Sequence, residues 1–306
     1  MAEPICERLA LIGVGLIGSS IARAVREFGA ARHIAVMDSS PHVVARAREL
    51  GLADLATDDI APALTGADLV IVCTPVGVCG AVAREIAPHL SKDAILSDVG
   101  SVKGAVVAQM APHLAEPARF IPAHPIAGTE FSGPDAGFAT LFQNRWCILT
   151  PPEGADAAAV EKLAAFWTRL GAKVETMSVA HHDAVLALTS HLPHLIAYNI
   201  VGTADDFGDE TRSEVIKFSA SGFRDFTRIA ASDPVMWRDI FLANKDAVLE
   251  MLGRFNEDLS ALQRMIRRGD GQGLHAFFSR TREIRRSIIE QGQDTAAPDF
   301  GRRSGD

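Results

Sequence analysis

The sequence predicts an α/β domain built on a doubly wound parallel sheet, followed by an all-α domain. Two observations predict this order. From Leu9 to about Ser178, short runs rich in Val and Ile alternate with helical patterns, which is typical of a parallel sheet covered by helices. After Val179 the pattern changes to long amphipathic segments without a convincing strand. We therefore place the first domain at residues 1–178 and the helical domain at residues 179–292.

Seven segments of the first domain fit β-strands, and helical stretches separate most of them. The connections are long enough for right-handed crossovers between parallel strands. The predicted strands are Leu9–Ile12, His33–Met37, Leu69–Cys73, Ala94–Asp98, Arg119–Ala123, Trp146–Leu149 and Lys173–Thr176. The predicted helices are Ser19–Phe28, Pro41–Leu50, Val78–Leu90, Lys103–Met110 and Ala157–Leu170.

The second domain contains only helical patterns. A segment as long and apolar as Val248–Leu262 usually buries one face against a large surface, so we expect a homodimer formed through this domain. A self-contained helical bundle is the alternative. The tail at residues 293–306 is polar and is predicted to be disordered. The predicted helices are Ala180–Gly202, Glu210–Ser219, Pro234–Arg267 and Gly273–Gln291.

Composition argues against several classes of function. A chain of 306 residues with 48% hydrophobic residues can bury the cores of two domains. Its net charge of −8 gives no reason to expect a nucleic-acid partner. The four cysteines are scattered and form no Cys-x-x-Cys pair, which favours reduced thiols. We find no signal-peptide pattern and no uninterrupted apolar run that would span a bilayer, and expect a cytoplasmic protein without a membrane partner.

A glycine-rich motif directly follows the first predicted strand. The sequence Gly13-Val-Gly15-Leu16-Ile17-Gly18 places G-x-G-x-x-G between a strand and a helix, which is the context in which this motif binds a dinucleotide. The first glycine permits a tight turn, the second lets the backbone approach a pyrophosphate, and the third lets the helix pack closely on the strand. The helix N-terminus then faces the phosphates. We predict that these residues bind a nicotinamide dinucleotide in a Rossmann-like domain, with an ordinary glycine turn as the alternative.

Two further segments define the cofactor prediction. Asp38 ends the second strand twenty residues after the last glycine of the motif, where an acid accepts hydrogen bonds from ribose hydroxyls. An acid there also repels the additional phosphate of NADP, and the residues that follow are Ser39 and Ser40 rather than arginine. The predicted cofactor is therefore NAD. Thr74 and Pro75 end the next apolar strand at the same edge of the sheet and are predicted to form a wall of the cofactor site.

Two later strands of the first domain end in residues suited to substrate chemistry. Ser101 follows the strand that ends at Asp98, and it either caps the next helix or contacts a ligand. His124 lies at the carboxyl end of the following strand, where Pro125 and Gly128 restrict the backbone. A histidine in this position is a natural acid–base group. With an unperturbed pKa of about 6.5, it would make the rate rise with pH through that value.

Histidines also occur in the first long helix of the second domain. The segment Ser190-His191-Leu-Pro193-His194 contains a proline that we expect to kink the helix. The two histidines lie three residues apart on one face, as in a metal-binding pair. No third acidic or cysteine ligand is evident, so we interpret them as substrate donors and predict no metal site. Upstream, His181 and His182 are interpreted as solvated surface residues near the domain boundary.

The segment Ser221–Ala230 offers two arginines, Arg224 and Arg228. Arginine is the usual bidentate partner of a carboxylate, so either residue is a candidate to bind an acidic substrate. One of them could instead pair with Asp225. The two candidates lie four residues apart, and the residues alone leave the choice open.

Taken in order from about Leu9 to Gln291, these motifs resemble the prephenate/arogenate (cyclohexadienyl) dehydrogenase family. The resemblance implies an NAD-binding N-terminal domain and a helical domain that forms a dimer. It also implies NAD-dependent oxidative decarboxylation of prephenate and/or arogenate to 4-hydroxyphenylpyruvate and/or tyrosine. The segments that carry it are Gly13–Gly18, Asp98–Lys103, His124–Glu130, Ser190–His194 and Phe223–Ala230.

The resemblance also assigns roles to individual residues. It implies that His124 accepts the hydrogen bond of the ring hydroxyl and that Ser101 orients both this histidine and the substrate. Arg228 would bind the ring carboxylate, with Arg224 as the alternative. The residues that would line the pocket around the substrate side chain are Ser190, His191 and His194.

Two other functions fit part of the pattern. A β-hydroxyacid dehydrogenase has the same two-domain plan, but we expect it to carry a Lys-x-x-x-Asn motif on a helix. Asn244-Lys245 has the wrong order and spacing. A non-catalytic NAD-sensing protein would share the glycine motif without turnover. Within the favoured family, the sequence does not choose between the pyruvyl side chain of prephenate and the alanyl side chain of arogenate.

Overall fold

The computed structural model describes residues 3–129, 131–206, 214, 217 and 221–290. The predicted tail at residues 293–306 and almost all of the predicted helix Glu210–Ser219 lie outside the described residues. The strands are β1 (Cys6–Ile12), β2 (Ala31–Met37), β3 (Leu55–Thr57), β4 (Leu69–Val72), β5 (Ile95–Asp98), β6 (Ala123–Pro125), β7 (Trp146–Leu149) and β8 (Lys173–Thr176). The helices between them are α1 (Leu16–Phe28), α2 (Pro41–Glu49), α3 (Ile60–Leu64), α4 (Cys79–Ile86), α5 (Lys103–Met110) and α6 (Ala157–Arg169). The helices that follow β8 are α7 (Val179–Leu186), α8 (Leu192–Asp205), α9 (Ser221–Thr227), α10 (Pro234–Ala243), α11 (Lys245–Arg268) and α12 (Gly271–Glu290).

Five strands form a parallel sheet in the order β3-β2-β1-β4-β5. Ala10 of β1 pairs with Ala35 of β2 on one side and with Val70 of β4 on the other. The strand order therefore reverses between β1 and β4, which is where open α/β sheets bind ligands. Leu9–Ile12 and all of β4 are buried, as is typical of parallel strands covered by helices on both faces. The predicted doubly wound parallel sheet is confirmed, and its carboxyl edge leads into the glycine motif.

A second sheet has the order β6-β7-β8 and is mixed. β7 and β8 are parallel across the crossover helix α6, but β6 runs antiparallel to β7. The expectation of parallel strands was wrong here, because the connection from β6 to β7, as described at residues 126–129 and 131–145, contains the short 3₁₀ turn Pro134–Ala136 and no crossover helix. The predicted strand Arg119–Ala123 lies too early. Within it, Phe120 forms an isolated parallel bridge to Leu96 of β5, and the strand proper begins at Ala123.

The edge strand β3 was not predicted. It has three residues and pairs with the end of β2, where Ala35 lies opposite Leu55. A strand this short shows no alternation that a sequence pattern can reveal.

Two buried apolar clusters contain the side chains on the two sides of the main sheet. One includes Leu11 of β1, Ile21 of α1 and Trp167 of α6. The other includes Ile12 of β1 and extends to Trp237 of α10, which comes from the region after β8. Burial of each large apolar side chain contributes roughly 1.5–3 kcal/mol to the free energy of folding. Helices from the second half of the sequence therefore share a core with the sheet.

The first long helix of the second half changes its geometry in the middle. α7 and α8 are joined by a π-helical turn at Ala187–His191, and Pro193 follows in the first turn of α8. Proline lacks an N–H and its ring crowds the preceding turn, so the wider turn accommodates it. The kink expected at the proline therefore takes the form of a π turn just before it.

The predicted helix Pro234–Arg267 is in fact two helices. Asn244 separates α10 from α11, with φ −110° and ψ 31°. Contacts between Cα atoms divide the chain into one compact unit that ends at Leu249 and another that begins at Glu250. In the second unit α12 and the rest of α11 leave large apolar side chains exposed, among them Leu259, Ile266, Phe278 and Ile284.

Within the described residues, one helical stretch, Val179–Asp205, is long and apolar enough to cross a membrane by length and composition. The expectation that no such stretch exists considered only uninterrupted apolar runs. This stretch includes the inaccessible His182 and His191, and both of these side chains hydrogen-bond to protein groups.

Candidate active site

The glycine motif forms a tight turn between β1 and α1. Gly13 has a φ of +100°, and a Cβ built on it would lie 2.9 Å from the carbonyl oxygen of Cys73. A Cβ on Gly18 would overlap the carbonyl oxygen of Gly13. A Cβ on Gly15, in contrast, would meet no atom within 4 Å. The first and third glycines are therefore required by packing, while the second leaves open backbone that a phosphate can approach.

The N-terminus of α1 and a carboxylate lie next to this turn. α1 begins at Leu16, Gly15 is its N-cap, and no side chain caps the helix. The Asp38 Oδ2 atom accepts a hydrogen bond of 3.0 Å from the backbone N–H of Val14, and Oδ1 accepts one of 3.0 Å from Ser40 N–H. The carboxylate is thus fixed beside the glycine turn, and each oxygen keeps a lone pair for a ribose hydroxyl.

The remaining predicted cofactor residues border the same turn. The Cγ2 atom of Thr74 lies 3.1 Å from the position of a Cβ on Gly13, and Pro75 follows it directly. Leu16 and Ile17 open α1 and are partly buried. This arrangement fits a dinucleotide, with its pyrophosphate at the start of α1 and a ribose at Asp38.

We expect Asp38→Ala to weaken NAD binding by about 10-fold to 100-fold, because hydrogen bonds to a charged group contribute roughly 1.5–3 kcal/mol. NADP should bind the unmodified protein much more weakly than NAD, and the variant should narrow this difference. Titration calorimetry with both dinucleotides measures the effect. Asp58→Ala removes an exposed acid just after β3 and is the control. Equal affinity of the unmodified protein for NAD and NADP would contradict the assignment.

A buried ion pair connects the end of β5 with the start of β6. The Lys103 Nζ atom lies 2.5 Å from Asp98 Oδ2 and donates to the carbonyl oxygen of Ala123, also at 2.5 Å. Both side chains are inaccessible. Asp98 also accepts hydrogen bonds from the N–H groups of Gly100 and Ala123. The pair therefore fixes the backbone of the residue that precedes His124.

His124 lies in the middle of β6 and is one of three polar side chains in a row. Its Nδ1 atom lies 2.9 Å from His182 Nε2, and His182 Nδ1 lies 2.8 Å from Asp183 Oδ1. Asp183 also accepts from the backbone N–H groups of Lys103 and Gly104 at the start of α5, at 2.9 and 2.8 Å. The interpretation of His182 as a solvated residue was wrong, because α7 packs on α5 and buries this side chain completely.

Burial determines the charge of this row. Burial, followed by the electrostatic effects of His182, Lys103 and His191, holds the pKa of His124 well below its usual 6.5. His124 is therefore neutral near pH 7, and the expectation of an unperturbed value was wrong. Burial raises the pKa of Asp183, but the hydrogen bonds from His182 and from the N–H groups at the start of α5 outweigh it and leave the pKa below its usual range. Asp183 is therefore ionised.

The π turn brings a third histidine towards the same cluster. His191 is 1% exposed, and its Nδ1 atom lies 3.2 Å from the Asn244 Nδ2 atom. The same amide donates to the carbonyl oxygen of Asp183 at 2.9 Å. Burial lowers the pKa of His191 to about 4, so this ring is also neutral. Asn244 thus links the end of α10 to both α7 and the π turn.

His194 lies in the first turn of α8. Its Nδ1 atom donates to the carbonyl oxygen of Ser190 at 2.8 Å, and its ring stacks on Trp237 with centroids 3.7 Å apart. Trp237 of α10 also lies edge to face against the ring of His191, with centroids 6.2 Å apart. Nowhere in the described ranges do three His, Cys, Asp or Glu side chains form a group that could hold a metal ion.

The two remaining predicted site residues lie on the loop before α5 and on the turn after α9. Ser101 does not cap α5, because Val102 is the N-cap and Asp183 accepts from the first backbone N–H groups of the helix. Its role toward a ligand stays a prediction. Arg228 begins the 3₁₀ turn Arg228–Ala231. Burial and the charge of Arg228 lower the pKa of His194, which supports Arg228 over Arg224 as the residue near the histidines, although this choice also stays a prediction.

Sequence reasoning missed four residues of the cluster: Lys103, His182, Asp183 and Asn244. A signal existed for His182, because it lies four residues before Leu186 and shares the buried face of α7. The Asp98–Lys103 pair shows no sequence signal, since the loop geometry alone brings the two charges together. For Asn244, the continuous helical pattern of the sequence conceals that one helix ends and the next begins at this residue.

Comparison with known proteins covers both halves of the chain. The family model described as the nucleotide-binding domain of prephenate dehydrogenase matches residues 21–176. The model described as the dimerization domain of prephenate dehydrogenase matches residues 178–280. A cyclohexadienyl dehydrogenase of Zymomonas mobilis is 44% identical over 282 residues, which are 92% of this chain and 96% of that protein.

Two solved structures share the fold. The prephenate dehydrogenase of Aquifex aeolicus, in complex with hydroxyphenyl propionate and NAD⁺, superposes with a TM-score of 0.87 at 34% identity and covers 94% of this chain and 99% of its own. The arogenate dehydrogenase of Synechocystis gives a TM-score of 0.79 at 28% identity, with 92% of this chain and 99% of its own covered. With its glycine turn, its buried histidines and both family domains in order, the chain belongs to the prephenate dehydrogenase family.

Proposed function

We propose that the protein is an NAD-dependent dehydrogenase that oxidatively decarboxylates prephenate or arogenate in the synthesis of tyrosine. The observation that carries the proposal is the state of His124. It is a buried, neutral histidine whose Nδ1 atom is engaged by His182, and this leaves the opposite ring nitrogen for a substrate hydroxyl. Membership in the family supplies the substrate class, and the glycine turn with Asp38 supplies the site for NAD.

The chemistry assigns a task to each group. The substrate is a cyclohexadiene with a hydroxyl on one ring carbon and a carboxylate on the opposite carbon, and bound NAD supplies the hydride acceptor. As hydride leaves the hydroxyl-bearing carbon, His124 accepts the hydroxyl proton. The bond to the carboxylate breaks, CO₂ leaves, and its electron pair makes the ring aromatic. His124 then returns the proton to the ring oxygen, which becomes a phenol.

Arg228 and Ser101 complete the proposed site. A guanidinium at the ring carboxylate holds the substrate in one orientation, so that the hydroxyl faces His124. Ser101 orients the hydroxyl and the histidine. Ser190, His191 and His194 line the pocket around the side chain, where prephenate carries a pyruvyl group and arogenate an alanyl group. Either side chain is compatible with the proposal.

The protein is also proposed to act as a homodimer in the cytoplasm. The second matched region is described as a dimerization domain. The large apolar side chains that α11 and α12 leave exposed in the second unit support a subunit interface there.

The proposal is tested by adding prephenate or arogenate to the purified protein with NAD and following the absorbance of NADH. We expect NADH and CO₂ to form in equal amounts with at least one substrate, together with 4-hydroxyphenylpyruvate or tyrosine. The ratio of kcat/KM between the two substrates then gives the preference. Binding of NAD without NADH formation on either substrate would instead support the alternative of an NAD-sensing protein, and turnover of a β-hydroxyacid would support the other alternative.

A further inference from the structure

We propose that His182 and Asp183 are positioning residues that fix the tautomer of His124. In this tautomer His124 carries its hydrogen on Nδ1 and leaves Nε2 bare. Only a bare Nε2 can accept a proton from a hydroxyl group. The kinetic consequence of this inference rests on the proposed function, whereas the tautomer itself does not.

The hydrogen-bond directions follow from Asp183. An ionised carboxylate can only accept hydrogen bonds. Asp183 already accepts from two backbone N–H groups at the start of α5, those of Lys103 and Gly104. Its contact of 2.8 Å with His182 Nδ1 is therefore a third accepted bond, and the hydrogen of His182 lies on Nδ1.

The position of the hydrogen on His182 determines which atom donates in its hydrogen bond with His124. With its hydrogen on Nδ1, a neutral His182 has a lone pair on Nε2 and can only accept there. The group 2.9 Å away is His124 Nδ1, which must donate. Since burial keeps His124 neutral, a hydrogen on Nδ1 leaves none on Nε2. A carboxylate two residues away in the hydrogen-bond row thus sets which nitrogen of His124 is basic.

The same row stabilises the charge that forms during the reaction. When His124 takes the hydroxyl proton on Nε2 it becomes a cation in a buried site that already holds the ammonium of Lys103. Its Nδ1–H then donates to His182, and His182 in turn donates to the Asp183 carboxylate. A carboxylate held in this way stabilises an imidazolium without itself being protonated.

The hydrogens on His182 separate two possible arrangements of the row. A doubly protonated His182 would donate from Nε2 to His124 and would force the hydrogen of His124 onto its own Nε2. The two arrangements predict opposite tautomers for His124, so a measurement separates them.

The first test needs no substrate and no variant. Long-range ¹H–¹⁵N spectra of the full chain, labelled at histidine, distinguish protonated from bare ring nitrogens, and the absence of the His124 signals in His124→Asn assigns them. We expect the Nδ1 of His124 to be protonated and its Nε2 to be bare near neutral pH. A bare Nδ1 with a protonated Nε2 would overturn the proposal, whatever reaction the protein catalyses.

The second test uses Asp183→Asn. With its oxygen kept at the N–H of Gly104, the Asn amide nitrogen takes the position of Oδ1, gives up the hydrogen bond from the N–H of Lys103 and donates to His182 Nδ1. This moves the hydrogen of His182 to Nε2 and that of His124 to its own Nε2. We expect the tautomer of His124 to reverse in the spectra and kcat to fall by up to about 10⁴-fold, the loss that the equivalent Asp-to-Asn change causes in a Ser-His-Asp triad. KM and the affinity for NAD should change little, since neither ligand is proposed to contact Asp183.

His181→Gln is the matched control, because His181 is the exposed neighbour of His182. It should leave the His124 tautomer and the kinetic constants as they are in the unmodified protein. If Asp183→Asn retains the original tautomer, or reverses it with no loss of kcat, the positioning role is refuted while the proposed function still stands. If the unmodified protein shows no turnover, the proposed function fails, and the spectra still decide the tautomer.

Discussion

Replacing His124 with Asn should lower kcat by about 10²–10⁴-fold, which is the usual loss when a general base is removed. His124 is the buried neutral histidine whose ring is fixed by a hydrogen bond to His182. KM for the substrate should change much less than kcat, because the histidine acts on the hydroxyl proton in the transition state. Steady-state kinetics with saturating NAD measures both constants.

The pH profile of the unmodified enzyme gives an independent check on the same residue. A base acts only when unprotonated, so kcat/KM falls as the pH falls through the pKa of His124. Because burial holds this pKa well below 6.5, the acid limb should lie below pH 6.5 and the rate should be flat from there to neutral pH. His89→Asn removes an exposed histidine and is the control. A fully active His124→Asn variant would show that another group accepts the proton.

The fold was largely readable from the sequence because its strands are buried on both faces. Apolar runs such as Leu69–Val72 are bounded by turns and alternate with helical patterns, and these two signals define a parallel sheet. The antiparallel pairing of β6 could not be predicted, since the sequence of a three-residue strand does not show whether it pairs parallel or antiparallel. What decides its direction is the connection to β7, which lacks a crossover helix.

The candidate site was readable in part. The glycine turn and Asp38 were predicted because their positions in the chain are dictated by the geometry of one strand, turn and helix. His124 was predicted from its place at a strand end. Its partners were missed, because the contact between His182 and β6 depends on how α7 packs on α5, and no local pattern encodes the packing of two elements so distant in the chain.

The expected effect on stability is largest at the buried ion pair. Lys103→Met would leave the Asp98 carboxylate inaccessible and without its cation, and removing one partner of a buried pair usually costs about 3–5 kcal/mol of unfolding free energy. Urea denaturation followed by circular dichroism measures the loss. Lys162→Met is the matched control, because its ion pair with Asp68 is about one-third exposed and should contribute at most about 1 kcal/mol.

A second substitution tests whether the loss comes from the uncompensated charge rather than from the shape of the lysine. Asp98→Asn in the Lys103→Met background removes that charge, and its single amide oxygen keeps the hydrogen bond from one of the two N–H groups, Gly100 or Ala123, that donate to different oxygens of Asp98. We expect the double variant to be more stable than Lys103→Met alone, because replacing both partners of a buried pair with neutral groups often costs little. Asp98→Asn alone is measured as well. If the double variant is less stable by the sum of the losses of Lys103→Met and Asp98→Asn, the two side chains stabilise the fold independently.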